Sequence, residues 1–323
     1  MRARAFVKVL LRRAATETEL LRSRGGRSDV ALFHEFHRPP YGGGNQFLLA
    51  LRGELERRGL SVEVNRLSGE TPACLYNSFN FDFARLRRFH RPGVRMVHRV
   101  DGPIGSYRGF DDGTDGRIVD INSMADATIL QSQFSLDKHR ELGLRLRNPV
   151  VIHNTADPRI FHPPRDRVRH ERLRVITTSW SDNPRKGADV LSWLDAHLDF
   201  EAYEVTFAGR TQAVFKRIAV VEPLASEPLA ELLRAHDVFL APSRDDPCSN
   251  ALLEGLACGL PAAFRRSGGH PELVGDAGIG FDDPEEVPDV LARLRNELDH
   301  RRAAIQVPSL GEVADRYLDV LRA

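Results

Sequence analysis

Val30-Ala31-Leu32-Phe33, Gly42-Gly43-Gly44, Gln46 to Arg58, Gly59 and Ser61-Val62-Glu63-Val64 follow one another near the start of the chain. The first apolar run has strand composition. Gln46 to Arg58 carries helical periodicity and is closed by Gly59, and Ser61 to Val64 alternates faces as a strand does. Strand, helix and strand at this spacing predict a βαβ unit and a parallel sheet.

The pattern continues outward. Ala73-Cys74-Leu75-Tyr76, Val94 to Val97, Ala127-Thr128-Ile129-Leu130 and Val150-Val151-Ile152 read as further strands. From Pro158 to Arg172 the alternation breaks into Pro163-Pro164 and mixed charge, which is linker composition. It then restarts, with strands over Leu173 to Thr177, Tyr203 to Ala208 and Val238-Phe239-Leu240. Helices are predicted over Gly187 to Leu198, Leu229 to Ala235 and Asn250 to Cys258, the last stopped by Gly259 and Pro261. Asp283-Pro284-Glu285-Glu286 reads as a capping box opening a helix to Glu297. The fold class is therefore α/β, with two Rossmann-like domains facing across a cleft. Their predicted bounds are 29–162 and 163–323, with the last helix expected to pack back on the first domain.

Composition narrows the classes of function. The 323 residues carry 46 Lys+Arg against 45 Asp+Glu, so no basic excess points to nucleic acid. A hydrophobic fraction of 41% with 28% charged residues is ordinary for a globular core. Cys74, Cys248 and Cys258 are too few and scattered for a disulfide framework or zinc knuckle. They read as buried thiols in a reducing compartment, hence a cytoplasmic expectation. No apolar run approaches the ~20 residues that cross a bilayer. Residues 1–28 form a basic amphipathic stretch with three readings: an arm lying on the fold, a peripheral membrane-surface anchor, or an extension with no role in folding. A signal peptide is not expected, because charges interrupt the apolar region and no small-residue cleavage site follows.

In open parallel sheets, ligands sit beyond the carboxyl ends of the strands, so the loops there are the candidates. Pro39-Pro40-Tyr41-Gly42-Gly43-Gly44 is either a flexible turn or a phosphate cradle, with Gly43 and Gly44 exposing N–H groups at a helix start. His98 falls where an apolar strand meets a Gly-Pro loop. It is either a satisfied structural histidine or a donor to a ligand hydroxyl or phosphate. Asp101 reads as a turn cap. Arg185 and Lys186 precede a helix, where an ammonium and helix N–H groups can converge on a diphosphate; a solvated basic turn is the alternative. Glu254 interrupts an apolar helix. Such a carboxylate is costly to desolvate unless it is paired, bound to a ligand such as a ribose diol, or stabilised by the helix dipole. Gly268-Gly269-His270-Pro271 can present N–H groups to a sugar or phosphate, and Glu272 serves the helix start. Tyr107 to Asp120, rich in Gly and Asp, reads as solvated loop or as a wall of the cleft.

Taken in order, these segments resemble the retaining glycosyltransferases of family 4, glycosyl transferases group 1, with the GT-B fold. The resemblance runs from about Val30 to Glu297. It rests on Gly42-Gly43-Gly44, His153-Asn154-Thr155-Ala156-Asp157 with Phe161-His162-Pro163, Arg185-Lys186-Gly187, Asp246 to Glu254 with Ala257-Cys258-Gly259-Leu260-Pro261, and Ser267-Gly268-Gly269-His270-Pro271-Glu272. It implies sugar transfer from a nucleotide-diphosphate sugar to a carbohydrate, lipid or other hydroxyl acceptor. Anomeric configuration would be retained, with no metal and no cofactor beyond the donor. Glu254 matches the second acid of the family's pair, which implies ribose contact. Asp246 stands where the family has a glutamate contacting the donor sugar. His98 matches a strand-end histidine near the transferred sugar, and Trp180-Ser181 stand where an arginine is common. The implied catalytic set is His98, Lys186 and Asp246. The implied donor-binding set is Gly43, Gly44, Arg185, Lys186, Asp246, Cys248, Ser249, Asn250, Glu254, Gly268 and Gly269. The alternatives on the same scaffold are a non-catalytic nucleotide-sugar-binding protein and a nucleotide-sugar epimerase.

Overall fold

The computed structural model describes residues 26–38, 41–110 and 112–323. Most of the basic stretch read over 1–28, together with Pro39, Pro40 and Asp111, lies outside the described residues.

The first lobe is built on β1 (Val30–Phe33), β2 (Val62–Val64), β3 (Ala73–Tyr76), β4 (Arg95–Val100), β5 (Ala127–Leu130) and β6 (Pro149–Val151). Its helices are α1 (Gly43–Arg57), α2 (Phe83–Phe89), α3 (Ile104–Arg108), α4 (Thr114–Asn122) and α5 (Gln133–Glu141). The second lobe holds β7 (Leu173–Ser179), α6 (Ala188–His197), β8 (Tyr203–Gly209), β9 (Ala219–Val221), α7 (Ser226–Arg234) and β10 (Val238–Ala241). It continues with α8 (Asn250–Ala257), β11 (Ala262–Arg265), α9 (His270–Val274), β12 (Gly278–Phe281) and α10 (Val287–Ala303). A last helix, α11 (Leu310–Arg322), follows.

Both sheets have six strands, all parallel, in the orders β2-β1-β3-β4-β5-β6 and β12-β11-β10-β7-β8-β9. Two Rossmann-like lobes facing across a cleft are thus the GT-B architecture. In the second sheet the strand order reverses between β7 and β10. Such a switch point leaves a crevice at the carboxyl ends of the strands, because the helices leaving the two strands go to opposite faces.

Alternation along the strands sorts the first core into two layers. Ala73, Leu75 and Val97 face α1, while Cys74, Tyr76 and Met96 face α2 and α4. The layer on α1 is completed by Val313, Ala314, Tyr317, Leu318 and Leu321 of α11, so the final helix packs on the first sheet. α11 opens with a reciprocal cap: the Ser309 hydroxyl accepts from Glu312 N–H, and the Glu312 carboxylate accepts from Ser309 N–H. The box expected at Asp283 does not form. Asp283 makes no side-chain cap, Pro284–Glu286 is a 3-10 turn, and the helix after it runs on to Ala303 rather than stopping at Glu297.

Leu321 is buried in the first lobe although the second lobe precedes it in sequence. Leu321→Ala should cost about 2–5 kcal/mol. Urea unfolding measures the cost, and hydrogen exchange should show protection falling in β3 and β4 more than in β7.

Candidate functional site

The carboxyl ends of both sheets open on one cavity of about 320 Å³ between the lobes. From the first lobe come Gly42, Gly43 and Gly44 after β1, Asp101 after β4, Tyr107 of α3 and Gln131 after β5. From the second come Thr177 to Ser181, Lys186, and the segments 239–243 and 246–251. The ends of β7 and β10, the two switch-point strands, therefore form its floor.

Glycines let the walls approach. A Cβ built on Gly43 would lie 2.6 Å from the Asn250 Cβ, and one on Gly102 would lie 2.8 Å from the Pro247 Cβ. Any side chain at these positions would force the lobes apart. The starts of α1 and α8 thus meet at the cleft, with Ser249 capping α8 by accepting from Leu252 N–H.

Lys186 leaves the turn before α6 and donates from Nζ to Asp246 Oδ2 at 2.7 Å. Burial alone would raise the Asp246 pKa. The Lys186 ammonium, nearby His270 and the Cys248 N–H outweigh it and hold the carboxyl below its ordinary range. Glu254 sits around the corner, where two adjoining cavities share Gly43 with the main one and are lined further by Gln46, Pro223, Leu224 and Ser226. No hydrogen bond or ion pair engages its carboxylate among the described residues. Burial without a compensating partner pushes its pKa up to about 8. Two carboxyls eight positions apart are thus shifted in opposite directions. One is held low by a lysine, and the other is raised by burial without a partner.

Gly43, Gly44, Lys186, Asp246, Cys248, Ser249, Asn250 and Glu254 all line this connected space. The Cys248 thiol is buried and its pKa is pushed up to about 12, so it is an inert wall. Asn250 Oδ1 accepts from Asn154 Nδ2 across the lobes at 3.1 Å.

Four assignments need correction. His98 is wholly buried on the α2–α4 side of its sheet. It stacks on Tyr76, its Nε2 donates to Ser78 O at 3.2 Å, and its Nδ1 accepts from Asn122 Nδ2 at 3.0 Å. β4 runs on to Val100, so the first side chain to clear the strand is Asp101. Arg185 is half-buried against Gly109 of the first lobe, pairs with Asp245 and does not line the cavity. Gly268, at φ +65°, and Gly269 stand behind the loop that carries Asp246. A Cβ on either would lie 2.3 or 2.4 Å from a carbonyl oxygen of Asp246 or Pro247, so both glycines are there for backbone approach. Glu272 does more than open its own helix. It accepts from the N–H groups of Gln133 and Phe134 at the start of α5, and from His153, and so bridges the lobes.

Three cavity residues had no signal in spacing: Asp101, Tyr107 and Gln131. A polar residue immediately after each strand of the sheet was the cue that could have found the first and third. Trp180 lines the cleft under Arg210, whose guanidinium lies 3.8 Å from the indole centre. No group of His, Cys, Asp or Glu suited to a metal occurs among the described residues, and no described helix is long and apolar enough to cross a membrane.

Residues 183–297 match the family model described as glycosyl transferases group 1, a stretch that opens beside Lys186 and takes in Asp246 and Glu254. Sulfoquinovosyl transferase SQD2 of Arabidopsis thaliana is 31% identical over 83 residues, which is 24% of this chain and 16% of that protein's length. Among solved structures, sucrose-phosphate synthase from Thermosynechococcus elongatus superimposes with a TM-score of 0.71 at 15% identity, over 91% of this chain and 98% of that one. The catalytic domain of starch synthase IV from Arabidopsis thaliana, bound to ADP and acarbose, gives 0.72 at 11% identity over 92% and 99%. Anabaena Alr3699/HepE in complex with UDP gives 0.65 at 16% identity over 91% and 99%. At these identities the structures establish a shared fold.

His98 sets an acid limit. Burial lowers its pKa from 6.5 to about 3, so the unfolded chain binds a proton in that window that the folded chain does not. Stability should be full above pH 6.5 and fall as pH drops, by up to about 1.4 kcal/mol per pH unit from this residue. Urea titrations of wild type and His98→Gln between pH 4 and 6 (roughly the middle of the window) should differ in slope by about one proton.

Proposed function

We propose that this chain, whose residues 183–297 match the family model for glycosyl transferases group 1 and whose lobes take the GT-B fold, is a glycosyltransferase. It moves a sugar from a nucleotide-diphosphate donor to an acceptor hydroxyl, with retention of anomeric configuration and without a metal. The observation that carries the reading is the placement of Lys186, Asp246 and the start of α8 on one wall, with Glu254 around the corner.

The chemistry follows from charge. Breaking the anomeric C–O bond leaves negative charge on the departing diphosphate. An ammonium and the free N–H groups of a helix start, held in a narrow cleft, stabilise that charge as it develops. Lys186 has three donors, so it can keep Asp246 and still reach a phosphate oxygen. Asp246 aims the lysine and faces the transferred sugar. Glu254 accepts from the two ribose hydroxyls, which supplies the partners that its carboxylate lacks. Trp180 offers a flat face along the donor. With one carboxyl given to the ribose and the other tied to a lysine, no residue is assigned as a covalent nucleophile. The acceptor attacks on the face that the leaving group vacates, and a phosphate oxygen takes its proton.

Lys186→Ala should lower transfer by about 100–1000-fold, and Glu254→Gln should weaken nucleoside diphosphate binding by about 10–100-fold. Calorimetry with UDP, ADP and GDP and product analysis over a panel of nucleotide sugars measure both. Full activity in the two variants would remove the reading. Nucleotide-induced stabilisation with neither transfer nor donor hydrolysis would assign a binding role instead.

The Glu254 pKa gives a further test. A carboxyl near 8 must lose its proton to accept from a diol, so nucleotide affinity should rise about tenfold from pH 7 to pH 9 and then level. In Glu254→Gln the same titration should be flat.

A further inference from the structure

The wall opposite the donor side is made by Asp101, Tyr107 and Gln131. Asp101 is held at several points. Its N–H donates to Ser78 Oγ at 3.0 Å, its Oδ2 accepts from that hydroxyl at 3.3 Å, and its Oδ1 accepts from Arg99 Nη1 at 3.2 Å and from the Gln131 amide. Its side chain keeps 27% of its surface exposed, toward the cavity. A fixed carboxylate with free lone pairs, across a cleft from a diphosphate site, is a receptor for a hydroxyl donor.

The charges around it restrict what can bring that hydroxyl. The titratable side chains lining the cavity, besides the phenol of Tyr107 and the thiol of Cys248, are Asp101, Asp246 and Lys186, so two carboxylates and one ammonium carry its side-chain charge. Lys186 is already shared with Asp246, and a bound diphosphate would claim what remains. Arg99 is wholly buried, with its Nη donors committed to Asn77, Asp101 and Asn154. Arg185 is committed to Asp245. Arg99 balances the Asp101 charge from behind, and no unpaired cationic side chain lines the cavity, so an anionic group carried in beside Asp101 would meet an acceptor-only carboxylate with no ammonium or guanidinium to receive it.

We propose that Asp101, positioned by Ser78 and Gln131, receives the acceptor hydroxyl, and that the acceptor is an uncharged polyhydroxylated compound rather than a sugar phosphate. This deepens the glycosyltransferase reading and rests on it. Asp101 orients the hydroxyl through a hydrogen bond that it accepts. It takes no part in bond breaking.

The test uses the full chain and whichever nucleotide sugar raises its melting temperature. Glucose and glycerol are compared with glucose 6-phosphate and glycerol 3-phosphate as acceptors, and products are read by mass spectrometry. The uncharged compounds should show kcat/KM at least about tenfold above their phosphorylated counterparts. Asp101→Asn should lower transfer by about 100-fold, mostly through acceptor KM, with the UDP-induced melting shift kept. Ser78→Ala loosens the same carboxylate and should raise acceptor KM by about fivefold. It serves as the second variant if Asp101→Asn fails to fold. Preference for the phosphorylated acceptors, or transfer within about threefold of wild type in both variants, overturns the assignment. Failure of every nucleotide and nucleotide sugar to shift the melting temperature overturns the glycosyltransferase reading itself. It is told apart because an acceptor failure leaves donor binding intact.

Discussion

A buried guanidinium holds the two lobes in register. Arg99 is fully enclosed, lies 5.0 Å over the ring of Phe47, and donates to Asn77, Asp101 and Asn154. Asn154 passes the constraint on, donating to Gln131 and, across the cleft, to Asn250 at the head of α8. A desolvated charge of this kind costs several kcal/mol unless it is paired, and three polar side chains meet its two Nη groups while Nε goes without a partner among the described residues. The position of Asp101, the angle of Gln131 and the approach of α8 to α1 are therefore parts of one solution. Apolar packing fixes each lobe, and this polar chain fixes how they face.

The cleft carries a similar economy of charge. Asp246 and Glu254 stand on the same short segment, yet one is kept ionised by a lysine and the other is left bare under the switch point. The difference lies in what surrounds them. Asp246 follows Asp245, which turns the loop at φ 52° and is itself tied to Ser267 and Arg185. That turn, with Gly268 and Gly269 packed against its backbone, points Asp246 inward at Lys186. Glu254 lies a full turn along α8, among Gln46, Pro223, Leu224 and Ser226, and no cation pairs with it among the described residues.

How much of this was legible depends on the scale. Parallel strands, alternating helices and a break near Pro163 are statements about periodicity, and periodicity survives in a single sequence. β12, written Gly-Ile-Gly-Phe, and the three-residue β9 carry too little of it, and their place in the sheet comes from neighbours. Lys186, Asp246 and Glu254 were legible because each breaks a local pattern. The catalytic role implied for His98 does not fit because the strand runs three residues farther than its apolar run, which leaves the structural alternative. A shift of that size exchanges a cleft residue for a core one. Gly268 and Gly269 were misread because a glycine needed for backbone approach and one needed for anion binding look alike until the opposing chain is in place. Glu272 reaches across to the first lobe, a long-range relation that no local window holds.

The chain crosses between the lobes twice, once after β6 and once before α11, and the two passages run side by side: the Thr155 hydroxyl donates to Pro308 O at 2.5 Å. A body joined to another by two adjacent straps cannot swivel freely. It can swing about the line through them, as a door does on its hinges. Any widening or narrowing of the gap is thereby confined to one arc, with Lys186 and Asp101 on opposite leaves, so each cycle brings them back to the same mutual position.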